Sequence, residues 1–421
     1  MVTNLLSTTS RVEAPYIEVT IGNYTFGSYN KTQKTSLDDS GVRYTQVSTT
    51  FPNYMKSLNV IKVNGAVNTY NINMVYGIRA GDDPNLLEKV FSSVSNTRKI
   101  SISYGDYCSP TFIYKTEEAI ITKVTSNVDL AGSSITYMIT CTSEALSLAA
   151  GTYSFPARHE KPSKVIKDIL YSNTYGILEI FYGMRDRDLV LSKGLIASDD
   201  KEVTIEAKQN ITIFEYLNYL VQCMSSRNDS PTSIIKSSAY AFTVIDDTSG
   251  IFGGPYFKVS KISRNLKSIN SIDMYEIDVG YPTANIVTSF TIDDDETYSI
   301  LYNYSQKVEQ SDYIYRIDNA GNTEYIYSPM LSNSKQLLKT TEADKSWWTK
   351  MTQYPIKATL TIKGLLRPAI LMNYVKVNVY FFGRKHISSG IYIITQQQDT
   401  IDQNGYRTTL SLTRVQGDED L

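Results

Sequence analysis

Strict alternation of apolar and polar side chains fixes the fold class of this chain, and it is clearest between Tyr354 and Arg414. Ala358, Leu360 and Ile362 alternate with Lys357, Thr359, Thr361 and Lys363. A period of two places one set on a dry face and the other on a wet face, which predicts a half-buried strand. Val375, Val377, Val379 and Phe381 repeat the pattern against Lys376, Asn378 and Tyr380. Gly390 opens a third strand, and Leu410 and Leu412 sit on a fourth. Gly364 and Pro368, then Gly383, then Asn404-Gly405 punctuate the gaps. Short strands separated by turn signals at this spacing predict a small barrel or sandwich. Asn-Gly favours a two-residue hairpin with positive φ at both positions. Strict pairing about Asn404-Gly405 would set Asp399 opposite Leu410 and Gln397 opposite Leu412, a poor match, so a longer loop or a bulge is expected there.

The preceding chain is also mainly β, with a few helices. Residues 1–14 read as a flexible arm. Ile17, Val19 and Ile21 mark a first strand, and the polar residues 28–52 read as a long loop or extended hairpin. Strands resume at SLNVIKV and TYNINMVYGI, with Asn64-Gly65 between them as a turn signal. Asp83 and Pro84 suit the start of a helix with Leu86, Leu87, Val90, Phe91 and Val94 on one stripe. KISISYGDY, FIYKTEEAIITKV and SITYMITCTSEA follow, the last with Ile135, Tyr137, Ile139 and Cys141 on one face.

From 150 to 235 the pattern turns helical. Ser163 suits the cap of a short helix ending at Leu170. Thr212 and Glu215 form a capping box before a helix with Phe214, Leu217, Leu220, Val221 and Met224 on one face. Residues 225–233 read as a loop. AYAFTVIDD, PYFKVSKI and MYEIDVG return to β, followed by a tyrosine-rich stretch from Tyr298 to Tyr327 with a turn at Asn319 and Gly321. Residues 332–350 read as a helical linker. The expected division is an arm (1–14), a first β domain (15–150), a mixed α/β domain (151–235), a β-rich domain with linker (236–345) and a final β domain (346–421).

Composition narrows the function. Among 421 residues there are 33 Tyr against 13 Phe and 2 Trp, which suits strands and wet surfaces. A net charge of −2 lacks the Lys/Arg field that nucleic-acid binding needs. Cys108, Cys141 and Cys223 are odd in number and lack CxxC spacing, so no disulfide framework is expected and folding in a reducing cytoplasm is. No apolar run approaches the ~20 residues of a membrane span. The start, MVTNLLSTTSRVEAP, lacks a basic region and a long apolar core, so no signal peptide is expected.

A search for chemistry returns no catalytic, cofactor-binding or metal-binding constellation. His159 and His386 each stand alone, without zinc-site spacing. No phosphate loop, dinucleotide fingerprint or nucleophile elbow is present. The run Asp293-Asp294-Asp295-Glu296 lacks the spacing and glycine of a calcium loop and reads as a solvated turn. Glu117 and Glu118 are adjacent on a strand and point to opposite faces, so together they cannot act across one substrate. Trp347-Trp348 reads as packing at a domain joint. Lys357, Lys363, Arg367, Lys376, Arg384 and Lys385 give the final domain a basic tint, ordinary for wet strand faces.

The order of parts in the final segment carries a resemblance. A strand ends in glycine (TIKG), a proline corner follows (LLRPAI), then a hydrophobic strand (SGIYIITQQQDTID), a turn (NGY) and a closing strand ending in LTRV. This resembles the tail-tube-like barrel of hub proteins of contractile-tailed phages, a family that includes the hub half of type VI secretion spikes. The resemblance covers residues 354–414 at the motif level and the rest by layout. It implies two tail-tube-like β-barrels per chain, at 15–150 and 346–421, joined by collar domains. It further implies a homotrimeric ring in the phage baseplate that adapts a six-fold tail tube to a three-fold spike, assembled in the host cytoplasm. Its partners would be the tail tube protein, a spike or tail-tip protein and other baseplate proteins, with no cofactor and DNA passing through the channel without specific binding. A receptor- or glycan-binding tail protein and a tail-associated cell-wall hydrolase are the alternatives.

Overall fold

The computed structural model describes residues 15–22, 24–27, 34–37, 43–46, 51–52, 55–77, 83–92, 98–106, 114–129, 131–170, 175, 195–224, 239–246, 256–262, 273–279, 287–294, 313–317, 323–327, 356–364, 371–386 and 388–417. The arm, the loop at 225–233, the turn at Asn319 and Gly321, the linker with Trp347-Trp348, Cys108, Arg367, Pro368, Asp295 and Glu296 lie outside the described residues.

The fold is mainly β, as the alternation predicts. The chain runs through β1 (Pro15–Ile21), β2 (Tyr24–Gly27), β3 (Lys34–Leu37), β4 (Arg43–Gln46), β5 (Phe51–Pro52), β6 (Met55–Val63), β7 (Thr69–Gly77), α1 (Leu86–Ser92), β8 (Lys99–Asp106), β9 (Tyr114–Asp129) and β10 (Ser134–Thr142). A 3-10 helix (Glu144–Ala149) leads to β11 (Thr152–Phe155), β12 (Arg158–Glu160), α2 (Pro162–Leu170), β13 (Val203–Ile205), β14 (Lys208–Thr212) and α3 (Ile213–Cys223). Then follow β15 (Ala239–Ile245), β16 (Tyr256–Ile262), β17 (Asp273–Val279), β18 (Val287–Asp294), β19 (Tyr313–Ile317), β20 (Thr323–Tyr327), β21 (Ile356–Lys363), β22 (Tyr374–Phe381), β23 (Arg384–Lys385), β24 (Gly390–Asp402) and β25 (Gly405–Gly417).

One sheet of 15 strands dominates, in the order β18-β21-β25-β24-β6-β7-β10-β9-β8-β1-β2-β5, with β17, β22 and β23 joined to it through β24. The run from β6 to β1 wraps one core, built on Leu58, Val60, Tyr70, Ile72, Ile102, Ile139 and Val19 with Leu87 and Val90 of α1 laid across it. β1 comes back against β6 at the other end of that run. A second core joins β17, β21, β22, β24 and β25 through Tyr275, Leu360, Val377, Tyr392 and Leu410. A third packs α2 and α3 against β15 and β16 through Ile166, Leu220, Phe242 and Val259. Each fully buried Leu, Ile or Phe in these cores contributes roughly 1.5–3 kcal/mol.

Local signals explain the helix starts. The Asn85 amide donates to Asp83 Oδ1 at 2.9 Å ahead of α1, and the capping box of Thr212 and Glu215 forms in full at α3. Ser163 departs from the expected cap: α2 begins one residue earlier, at Pro162, and Ser163 lies inside it. The capping acceptor is Asp200, which takes the Ser163 amide at 2.8 Å and its hydroxyl at 2.6 Å. Proline fits the first helical position because it has no amide proton to lose. Phe381 also departs from its alternation and is 43% exposed at the end of β22.

The last hairpin corrects a second expectation. Asp402 pairs with Gly405, so Gln403 and Asn404 form the turn and no longer loop is needed. Displacing the turn by one residue sets Thr408, and not Leu410, opposite Asp399. Positive φ falls on Gly405 (+111°) and not on Asn404. Register shifts lie further along, between Ile394 and Gln396 and between Ile391 and Tyr392. At the shift after Ile394, β24 changes from a stretch buried on both faces (Ile391 to Ile394) to one buried at alternate residues (Gln397, Asp399, Ile401), and the buried contacts change from the second core to the first.

Candidate functional site: an open sheet face and the joint beneath it

The two halves of the chain meet where β24 pairs with β6, from Gln396 opposite Val63 to Ile401 opposite Leu58. Register carries one face of the sheet across this join. Lys363, Arg407, Thr400, Asn59, Asn71, Thr140 and Lys123 stand in one row over β21, β25, β24, β6, β7, β10 and β9. The next row runs Ser289, Thr361, Thr409, Gln398, Ile61, Thr69 and Thr142. Most of these side chains are hydroxyls or amides, and they bond to one another across strands. Asn59 Oδ1 accepts from Gln398 Nε2 at 3.1 Å and from Thr400 Oγ1 at 3.3 Å. Asn71 Oδ1 accepts from Thr140 Oγ1 at 3.3 Å, and Asn73 donates to Ser57 Oγ at 2.8 Å. Cross-strand pairs of this kind contribute a few tenths of a kcal/mol to about 1 kcal/mol each and fix register. At the register shift the same face holds a cavity of about 420 Å³ lined by Asn64, Thr291, Thr359, Ile393, Thr395 and Ser411, among others.

Behind the join the chemistry inverts. The buried face of β6 continues from Leu58 and Val60 to Lys62, which is buried and paired with buried Glu117 of β9. Tyr104 of β8 also donates to Glu117 Oε1, at 3.0 Å. From the C-terminal hairpin comes Asp399, which accepts from Gln397 Nε2 and Thr408 Oγ1, both at 2.6 Å. The ring of Tyr406 stands edge-on to Tyr104, 6.2 Å between centroids. From the third core comes Asp246, which follows β15. It accepts from Ser143 Oγ at 2.5 Å, Asn68 Nδ2 at 2.8 Å and the Tyr70 hydroxyl at 2.9 Å. The segment 64–68 is seated on the third core by backbone contacts as well. Gly65, at φ +72°, donates its amide to Phe242 O at 2.8 Å.

Burial shifts these groups strongly. It pulls the Lys62 ammonium down, but the charge and hydrogen bond of Glu117, with the charges of Asp399 and Asp246, more than offset this and leave it raised. Burial, reinforced by the nearby carboxylates, drives Tyr70, Tyr104 and Tyr406 well above the ordinary phenol value. Burial also pushes Asp246 up to about 6, against the hydrogen bonds of Ser143, Asn68 and Tyr70 that favour its charge.

The residues weighed for chemistry fall apart in space. His159 is exposed beside Thr204 Oγ1 at 3.3 Å. His386 is exposed in the segment after β23, its Nδ1 accepting from the Ser388 amide at 3.2 Å. Glu117 is buried while Glu118 is partly open to solvent, the two faces expected of strand neighbours. Asp293 and Asp294 are the last two residues of β18, paired with Lys357 and Ile356, and so belong to a strand and not to the solvated turn expected of them. Cys141 and Cys223 are buried free thiols. Among the described residues no group of His, Cys, Asp and Glu is arranged to hold a metal ion, and no helix is long and apolar enough to cross a membrane. Lys62, Asp246 and Asp399 had no sequence motif to mark them. Their signal was parity: Lys62 and Asp399 occupy inward positions on alternating strands, where a charge requires a buried partner.

No family model and no curated protein matches this sequence. Several solved structures are similar to it at low identity. The 43 kDa tail protein of prophage MuSo2 from Shewanella oneidensis is 12% identical, with a TM-score of 0.47 over 96% of this chain and 99% of that one. A tail protein from Neisseria meningitidis is 9% identical, with a TM-score of 0.48 over 96% and 97%. An Escherichia coli component of the type VI secretion system, described as similar to bacteriophage T4 tail proteins, is 7% identical, with a TM-score of 0.41 over 86% and 75%. The structural neighbours of this chain are thus phage tail and type VI secretion proteins.

Proposed function

We propose that this chain is a structural hub subunit of a contractile phage tail, working by assembly and without catalysis. The observation that supports this best is the edge-to-edge joining of the two sheet halves through β24 and β6, with one hydroxyl- and amide-rich face running across the join. A sheet extended in this way still has outer edges, and closing a ring of copies satisfies them. In this reading the two halves are two tube-like barrels, 15–150 and 346–421, the second completed by β17 and β18. Three copies present six such units around one axis. They match a six-fold tail tube on one side and a three-fold spike or tip on the other. The polar face lines the channel, where hydroxyls and amides with a few lysine and arginine side chains hold DNA without specific binding and let it pass. The rest of residues 151–345, outside β17 and β18, form the collar that meets other baseplate proteins, and the finished ring resides in the virion after assembly in the host cytoplasm.

The test compares the full chain with one ending at Pro355, by light scattering and by complementation of a phage lacking the gene. The full chain forms trimers in the presence of its tail partners, whereas the shortened chain stays monomeric or aggregates and is missing from finished tails. An obligate interface commonly buries more than roughly 2,000 Å², so the loss is decisive and not graded. Infectious tails built with the shortened chain would sink the assignment.

A further inference from the structure

The joint gathers four ionisable groups of unequal sign in one buried place. Lys62 on β6 is its one ammonium among the described residues, and Glu117 on β9, Asp399 on β24 and Asp246 after β15 are its carboxyls. The other titratable groups facing them are phenols: Tyr70 of β7, Tyr104 of β8 and Tyr406 of β25. Lys62 is spoken for by Glu117. Asp399 is held by the amide and hydroxyl of Gln397 and Thr408 on its own hairpin. Asp246 is 1% exposed, and neutral groups supply its three side-chain hydrogen bonds. Ionising Asp246 would therefore place a negative charge in a dry site with only neutral hydrogen-bond donors around it, an expensive arrangement.

We infer that Asp246 takes up a proton in the folded protein, and that this proton fastens the third core to the first sheet half, which holds it through Ser143, Asn68 and Tyr70. The geometry accommodates it without displacing a heavy atom: only the Ser143 hydroxyl hydrogen has to turn away. Ser143 Oγ lies 2.5 Å from Asp246 Oδ1, and a hydroxyl accepts as readily as it donates. The elevated carboxyl described above agrees in direction, its largest cause being burial. A carboxyl raised on folding adds stability that is fully present below its unfolded value, near 4, and is lost as pH rises through its folded value, near 6. The joint therefore tightens on mild acidification and loosens toward neutrality, the reverse of the usual acid response of a salt-bridged carboxylate.

Native-state hydrogen exchange on the full chain reads this directly. The Glu118 amide donates across the joint to Asp246 O, and the Gly65 amide to Phe242 O, so both report its opening. Corrected for intrinsic exchange, their protection in the wild type falls about a hundredfold from pH 4 to pH 7 relative to Asp246→Asn, the factor for roughly two pKa units. A wild-type-to-variant ratio that stays flat with pH overturns the inference. So does a dependence that disappears in Asp399→Asn while persisting in Asp246→Asn. Should Asp246→Asn not fold, carboxyl carbon NMR of aspartate-labelled wild type decides: one buried aspartate titrating near pH 6 supports the proton, and aspartates all titrating near pH 4 refute it.

Discussion

The open face and the joint use overlapping groups, amides, hydroxyls and a few charges, a strand's thickness apart, and they use them to opposite ends. On the open face Asn59 accepts from Gln398 and Thr400 with water at hand to replace either. In the joint Lys62 and Glu117 sit on the other side of the same strands, where no water can take over. The difference is desolvation. A hydrogen bond exchanged against water nets about 1 kcal/mol, whereas a buried group that loses its partner forfeits the whole cost of its burial. The face can change composition and keep its fold, while the joint cannot.

Substitutions can break or sharpen this contrast. Lys62→Met removes the ammonium and strands Glu117, and about 3–5 kcal/mol of stability should be lost at neutral pH in urea unfolding. A cost under about 1 kcal/mol would mean the joint is wetter than its burial implies. Gly364→Ala tests the rim between the two regions. A Cβ there would stand 2.2 Å from the Tyr406 ring, which is buried and has no room to retreat, so a loss of about 1–3 kcal/mol is expected in the same assay. Asn59→Ala on the open face removes two half-exposed hydrogen bonds and should cost no more than about 1 kcal/mol. A loss as large as that of Lys62→Met would erase the distinction drawn here.

Reading the sequence recovered what period decides. The strands at Ile17, Leu58, Tyr70, Ile135, Leu360, Val377 and Leu410, the helix behind Thr212, and the opposed faces of Glu117 and Glu118 all followed from alternation or capping. What period cannot decide is pairing. Nothing local says that β24, while paired with β25 along one edge, takes β6 along the other, because strand edges are satisfied by partners far along the chain. The joint stayed hidden for the same reason: Lys62, Asp246 and Asp399 are each unremarkable until pairing brings them together. The turn at Gln403-Asn404 shows the finer limit. Asn-Gly named the right corner, but the preference of Asp399 for Thr408 over Leu410 moved its centre by one residue.

β24 has a mechanical consequence. It is a single 13-residue strand whose first part is built into one core and whose last part is built into another, with one register shift between. A load applied to one half therefore reaches the other along unbroken backbone, and the rungs between β24 and β6 are pulled sideways together, not opened one at a time. Ladders loaded this way share the force among all their rungs. The register shift around Thr395 falls where those two parts meet, so the halves can tilt against each other there without giving up a rung between β24 and β6. The chain has in effect a hinge that bends but does not slip.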